Sequence, residues 1–296
     1  MDAVTSRPAP ARRVVFLDVD GTITAHGGRI SPRTPDAVRA ARANGHLVLL
    51  CTGRAAGDIP PDVAAIGFDG AITDSGVLVT VGDDVVLDRP LPRERARFMI
   101  ETMDSLGVHY VLQADGEVYA NEGMNDLLQE HERAIRERTG AVRPEDSLSG
   151  LVDQTFPPAA EADLDRVAKA VFVCDEEEGF DELRQSLGDG FHLVRGSIPL
   201  PGGSNGEANE AGVTKGSAIE RLLPVLGMDA ADAVAVGDSW NDVEMFQVCG
   251  VSVAMGNAHP ELKELADVVT TDVLDDGIWN AFVRLGLAAD CSIDDE

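Results

Sequence analysis

Short apolar runs without polar alternation recur near both ends of the chain: VVFL at 14–17, HLVLLC at 46–51, VAAIGFDGA at 63–71, ADAVAVG at 231–237 and GVSVAMG at 250–256. Runs of this length, rich in β-branched residues, are the pattern of strands covered on both faces. Segments with helical spacing lie between them. SPRTPDAVRAARANG (31–45) opens on Ser and Pro and stops at Asn44-Gly45, a helix with its start and stop signals in place. After residue 210 the same rhythm returns: KGSAIERLLPVLG, NDVEMFQVCG, HPELKELAD and DGIWNAFVRLG read as helices, and DVVTTD as a last strand. Alternation of this kind predicts an α/β fold, a parallel sheet with crossover helices.

Between residues 83 and 206 the rhythm changes. RERARFMIETMDSLG and MNDLLQEHERAIRERTG are helical, and YVLQADGEVYANEG carries Asp115-Gly116 between two β-like runs, a hairpin signal. ADLDRVAKA, VFVCD, FDELRQSLG and FHLVRG then read as helix, strand, helix and strand. The expected organisation is an α/β core formed by 13–82 and 207–288, with a second α+β domain, 83–206, inserted into it. PLPGGSNGEANEAG reads as the return linker, 1–12 as a loose arm and 289–296 as an acidic tail. The acidic run at 175–178 reads as a solvated helix start.

Composition narrows the class. The chain has 296 residues, 44% of them hydrophobic, and a formal net charge of -28. That surface repels nucleic acid and anionic membranes, so neither is an expected partner. An anionic substrate would need a metal or a local cation to reverse the field in its site. Lysine is scarce, at Lys169, Lys215 and Lys263 only. Cys51, Cys174, Cys249 and Cys291 lie far apart with no C-x-x-C pair, as expected of reduced thiols in a cytoplasmic protein. No stretch approaches the apolar length of a membrane span. The six histidines have no ligand spacing and read as surface or packing residues. Cys51, although next to Thr52, reads as a core thiol.

Open α/β sheets place ligands beyond the carboxyl ends of their strands. Asp18 and Asp20 follow VVFL, Thr52 follows HLVLLC, Asp238 follows ADAVAVG, and Lys215 opens a helix. Gly21 and Gly53 would let backbone amides approach a bound anion. Asp18 and Asp238 offer hard oxygen ligands suited to Mg²⁺, Lys215 a positive point charge and Thr52 a hydroxyl donor. No G-x-G-x-x-G follows the first strand, which argues against a nicotinamide enzyme.

Taken together, DVDGT (18–22), LLCTGR (49–54), VTKGSAI (213–219), GDSWNDVEM (237–245) and AMGNA (254–258) resemble the signature set of the haloacid-dehalogenase-like phosphatases. The long insert before Lys215 resembles that of the Cof-type subgroup, the sugar-phosphate phosphatases with a large α/β cap. The resemblance spans Val14 to about Leu285 and implies a Rossmann-like open parallel sheet core with an inserted α+β cap domain. It also implies roles. Asp18 is the nucleophile, and Asp20 is the general acid and base whose carbonyl helps hold Mg²⁺. Thr52, Gly53 and Lys215 bind the phosphoryl group, Asp238 completes the protein's metal ligands, and Asn241 and Asp242 support Lys215 and metal-bound water. Asp69 stands where the family commonly has asparagine: near the site mouth its carboxylate would bear on substrate charge, and pointing away it would not. The implied function is a Mg²⁺-dependent phosphomonoesterase acting on a small phosphorylated metabolite, most simply a sugar phosphate, by a monomer or small homo-oligomer. Two rivals are a phosphosugar mutase using the same nucleophile and a non-catalytic protein that binds a phosphometabolite.

Overall fold

The computed structural model describes residues 12–25, 27–139, 155–196 and 202–289. The arm at 1–12, save its last residue, and the tail beyond Ala289 lie outside the described residues, as do His26 and Cys291.

Chain order runs β1 (Val14–Leu17), α1 (Thr34–Ala43), β2 (Leu47–Cys51), α2 (Pro61–Ala64), β3 (Gly70–Thr73), β4 (Leu78–Val81) and β5 (Asp84–Asp88). Next come α3 (Arg93–Ser105), β6 (His109–Ala114), β7 (Glu117–Ala120), α4 (Glu122–Thr139), β8 (Val167–Cys174), α5 (Gly179–Leu187), β9 (Phe191–Arg195) and β10 (Ser204–Glu210). The chain closes with α6 (Lys215–Leu226), β11 (Ala233–Gly237), α7 (Val243–Val248), β12 (Val251–Ala254), α8 (Pro260–Leu265), β13 (Val268–Val269) and α9 (Gly277–Arg284).

Eight strands form one sheet in the order β13-β12-β11-β1-β2-β3-β4-β5. From β13 to β3 every pairing is parallel, and β4 and β5 add an antiparallel edge. All four residues of β1 are fully buried. Its neighbours β2 and β11 share that burial, so the continuous apolar runs have helices over both faces. One hydrophobic core follows from this packing. The remaining strands make a separate antiparallel sheet, β7-β6-β8-β10-β9, whose own core sits under α3 and α5. A Rossmann-like core with an inserted α+β cap is therefore the architecture.

Three segments depart from the sequence reading. ADLDRVAKA is not helical: the chain turns at 163–166, and β8 begins at Val167. β8 is the middle strand of the cap sheet, and burial of VAKAVFVC between neighbours on both sides outweighs the helix preference of its alanines. Residues 204–210, read as linker, are β10, which pairs with both β8 and β9. Its Gly, Asn and Glu composition disfavours strand, yet Ser204, Gly206 and Ala208 are buried on one face, where only small side chains fit. The strand expected within VAAIGFDGA begins only at Gly70, after the short helix α2. Among the described residues no helix is long and apolar enough to cross a membrane.

Candidate active site

The carboxyl ends of β1, β2 and β11 converge with the first turn of α6. Asp18 continues β1, its N–H still bonded to the Val236 carbonyl (3.0 Å), and is 4% exposed. Thr52 continues β2 and donates its N–H to Ile72 (2.9 Å). Lys215 is the first residue of α6, fixed by a capping box in which Thr214 and Ser217 satisfy each other's N–H groups. This cap aims the Lys215 side chain across the sheet. Nζ lies 2.6 Å from Asp18 Oδ1, 2.6 Å from Asp242 Oδ1 and 3.4 Å from Asn241 Oδ1.

Asp242 is fully buried and its other oxygen accepts the N–H groups of Asp238 (2.9 Å) and Ser239 (3.1 Å). It thus caps its own turn and also anchors Lys215. Ser239 Oγ donates to Asn241 Oδ1 (2.7 Å), which sets the amide beside Lys215. Asp238 accepts from Thr22 Oγ1 (3.1 Å). Gly21, at φ +86°, lies so close that an added Cβ would stand 2.1 Å from Asp238 Oδ2. Glycine is required there both for the left-handed backbone and for the approach of the carboxylate. Asn257, from the AMGNA stretch, donates to the Gly21 carbonyl (2.7 Å) and holds this turn.

Charge is unbalanced around this cluster. Ligand oxygens of Asp18, Asp238 and Asp242 all fall within 4.8 Å of one another, with the single ammonium of Lys215 among them. Burial, offset by Lys215 and reinforced by Asp242 and Asp20, pushes the Asp18 carboxyl up to about 7. Burial, with the Asp18 and Asp242 carboxylates, also raises Asp238 well above the usual range. For Lys215, burial opposes the charge, but Asp18 and Asp242 outweigh it and hold its pKa well above the ordinary lysine value. An all-oxygen donor set short of positive charge fits a hard divalent cation. Because Asp242 already spends both oxygens on Lys215 and backbone, the remaining capacity rests with Asp18 and Asp238.

Asp20 lies two residues further on, at the cavity wall. Arg54 grips it with both ends of the guanidinium (Nε–Oδ2 2.8 Å, Nη2–Oδ1 2.9 Å) and also holds Asp58 (2.9 Å). Burial disfavours the Arg54 charge, but its bonds to Asp20 and Asp58 more than compensate and raise its pKa. A cavity of about 340 Å³ opens here between core and cap. Asp18, Asp20, Thr52, Gly53 and Asn241 reach its wall from the core; Lys215 bonds Asp18 and Asp242, and Asp238 lines a second cavity with Gly21 and Ser239.

The structure thus brings together Asp18, Asp20, Thr52, Gly53, Lys215, Asp238, Asn241 and Asp242. Asp69 is elsewhere. It precedes β3, at the opposite end of the sheet, where it accepts from Val48 N (2.8 Å) and pairs with Arg42 (2.9 Å). Of the two readings open for it, the structure has the one away from the mouth: Asp69 joins strand to helix. Sequence reading also passed over Arg54, Ser75, Gln113, Lys169 and Glu207, all of them at the core–cap boundary. The signal available for Lys169 was a charge inside the apolar run VAKAVFVC of a chain nearly without lysine.

Comparison with known proteins agrees with this geometry. A profile described as haloacid dehalogenase-like hydrolase matches residues 15–282. YkrA of Bacillus subtilis (strain 168) is 30% identical over 279 residues, covering 93% of this chain and 98% of the relative. Phosphatase YwpJ of the same organism is 25% identical over 272 residues, covering 87% of this chain and 94% of that protein. A crystal structure of a protein from Geobacillus kaustophilus HTA426 superposes with a TM-score of 0.72 at 28% identity, covering 93% of this chain and 99% of the other. The chain belongs to the haloacid dehalogenase-like hydrolase family, and carries a separate cap sheet like that of its Cof-type members.

Proposed function

We propose that the protein is a Mg²⁺-dependent phosphomonoesterase that acts on a small phosphorylated metabolite, a sugar phosphate, through a covalent aspartyl-phosphate. The observation that carries this reading is the meeting of Asp18, Asp20 and Thr52 at one cavity wall, with Lys215 bonded to Asp18 and an Asp238 oxygen within 4.8 Å of an Asp18 oxygen. Asp18, Asp238 and the backbone carbonyl of Asp20 would hold the metal, which when bound supplies charge neutralisation for an incoming phosphate dianion.

In the first half-reaction an Asp18 carboxylate oxygen bonds to phosphorus. The ester P–O bond breaks, and the leaving oxygen takes its electron pair together with a proton from Asp20. In the second, Asp20 accepts a proton from water as the water oxygen attacks phosphorus. The bond to Asp18 breaks, freeing inorganic phosphate and the starting carboxylate. Dividing the displacement between a nucleophile and a separate acid/base makes two easier steps of one hard one. Thr52, the Gly53 backbone and Lys215 hold phosphoryl oxygens, and Asn241 and Asp242 keep Lys215 in place. Arg54 bonds both Asp20 oxygens, so that side chain must leave the guanidinium before it can meet a leaving oxygen.

The cap excludes bulk water from the reaction, which suits a small substrate. A surface of net charge -28 supports neither nucleic acid nor an anionic membrane as partner. Three buried, unpaired cysteines, Cys51, Cys174 and Cys249, support a cytoplasmic setting. The direct test is chemical trapping. Protein mixed with a reactive phosphate ester and Mg²⁺, then acid-quenched, should carry one phosphoryl group on the peptide containing Asp18. Turnover with the label on another residue, or phosphate release with no label in the pre-steady state, would refute the assigned nucleophile.

A further inference from the structure

The two faces of the cap sheet meet different surroundings. Tyr110, Leu112, Ala170, Phe172 and Ala208 point into the cap's own core. The opposite face turns to the cavity, and register aligns its residues across three strands: Gln113 lies opposite Lys169, Val111 opposite Val171, and Val171 opposite Glu207. This face is polar at one end and apolar at the other.

The polar end touches the core loops. Lys169, 1% exposed, donates to Glu207 Oε2 (2.6 Å) and to Ser75 Oγ (3.0 Å), and Ser75 Oγ donates to the same Glu207 oxygen (2.9 Å). Gln113, with its amide nitrogen turned toward the core, donates to Asp74 Oδ1 (3.1 Å) and to the Gly53 carbonyl (3.2 Å). Ser75 takes up a left-handed backbone (φ 57°) to present its hydroxyl. Gly53 gives the space: a Cβ there would stand 3.2 Å from both Glu207 Oε1 and Lys169 Nζ. The pair is therefore pressed against the loop that carries Thr52.

One acceptor in this arrangement is unused. Glu207 Oε2 takes two hydrogen bonds, whereas no donor among the described residues reaches Oε1, which faces Gly53 on the cavity side. Burial would raise the Glu207 carboxyl, but Lys169 and Ser75 bring it below the usual range, so the acceptor is charged. Val171, two residues along β8 from Lys169, stands about 7 Å further out, where Val111, Val118 and Phe156 share the wall with it. Among the described residues, the charges lining the cavity are Asp18, Asp20, Asp58, Glu117 and Glu207 against Arg54 and Lys169. Both cations are already engaged with these acids, Arg54 with Asp20 and Asp58, Lys169 with Glu207.

We propose that Glu207, held by Lys169 and Ser75, is the residue that reads the leaving group. Its Oε1 accepts a hydrogen bond from a hydroxyl close to the ester, while the apolar face farther out covers the rest of the molecule. The acidic excess rejects a leaving group that bears a second phosphate or a carboxylate. The inference rests on the phosphatase reading and narrows its substrates to monophosphates of neutral, hydroxyl-bearing compounds.

The test is the kcat/KM for inorganic phosphate release, with Mg²⁺, from a hexitol monophosphate, n-hexyl phosphate and a hexitol bisphosphate. The wild-type protein should favour the hexitol monophosphate over the hexyl ester by about tenfold or more, as a charged hydrogen bond to a hydroxyl allows. It should favour the monophosphate over the bisphosphate by about a hundredfold, the scale of like-charge rejection. In Glu207→Gln, and in the paired K169M/E207Q variant that leaves no lone buried charge, both ratios should collapse toward about two. Folded variants that keep the wild-type ratios while losing rate on all three esters would make Glu207 a strut between cap and core and overturn the proposal. Release by the wild-type protein without preference would overturn it too, with no variant needed. No release from any ester would instead refute the phosphatase reading on which it stands.

Discussion

Lys215 ties the buried structure to the proposed chemistry. Its ammonium is 1% exposed and lies 2.6 Å from each of two buried carboxylates. Removing one member of such a cluster strands the others, at a cost of about 3–5 kcal/mol. Lys215→Met should therefore lose phosphate release and also unfold at markedly lower urea concentration, whereas Asp18→Asn, which lightens the carboxylate crowding, should keep its fold. Asp74 offers a separate test, away from the proposed metal ligands. Burial pushes its carboxyl up from 3.8 to about 6, with Lys169 and Thr73 pulling the other way. A carboxyl raised in the folded state binds its proton more tightly there than in the unfolded chain. Its stabilisation is complete below the unfolded value and is lost as pH rises through about 6. Asp74→Asn, which cannot ionise, should accordingly be more stable than wild type at pH 8 by about 1–3 kcal/mol and nearly equal to it at pH 4, read from paired urea melts.

At the scale of elements, the core was legible because its signals were local. VVFL, HLVLLC and ADAVAVG are strands because they are apolar throughout, and the site residues follow them directly in sequence. Asn44-Gly45 ended α1 as its chemistry requires, and Asp115-Gly116 closed the β6–β7 hairpin with both residues left-handed (φ 53° and 81°). The cap sheet was less legible. β8 contains alanines and a lysine, and β10 is largely Ser, Asn, Gly and Glu. Each is a strand because its neighbours complete the hydrogen-bond ladder, information that no window of sequence holds. Missing β10 as a strand also hid Glu207, since only a strand places that side chain on the cavity face. A proline separates the two descriptions. Ala208 is fully buried and pairs on both sides, so Ala208→Pro should cost about 3 kcal/mol or more and lower the thermal midpoint. In a linker the same change would be nearly silent.

Across the whole molecule, of net charge -28, the few lysines are placed unevenly. Two of the three lysines, Lys169 and Lys215, are buried at the site, one from each sheet's side of the cavity. The proposed reaction assigns the phosphoryl chemistry to Asp18 and Asp20 of the core and the leaving group to the cap's wall of the cavity. The most direct measurement is inorganic phosphate release from a panel of sugar, polyol, nucleotide and vitamin phosphates, run with Mg²⁺, with chelator, and with Asp18→Asn. The account requires release from one chemical class that disappears with chelator and falls at least about a thousandfold in Asp18→Asn, the scale on which removing an essential nucleophile acts. A folded Asp18→Asn protein as active as wild type would contradict it.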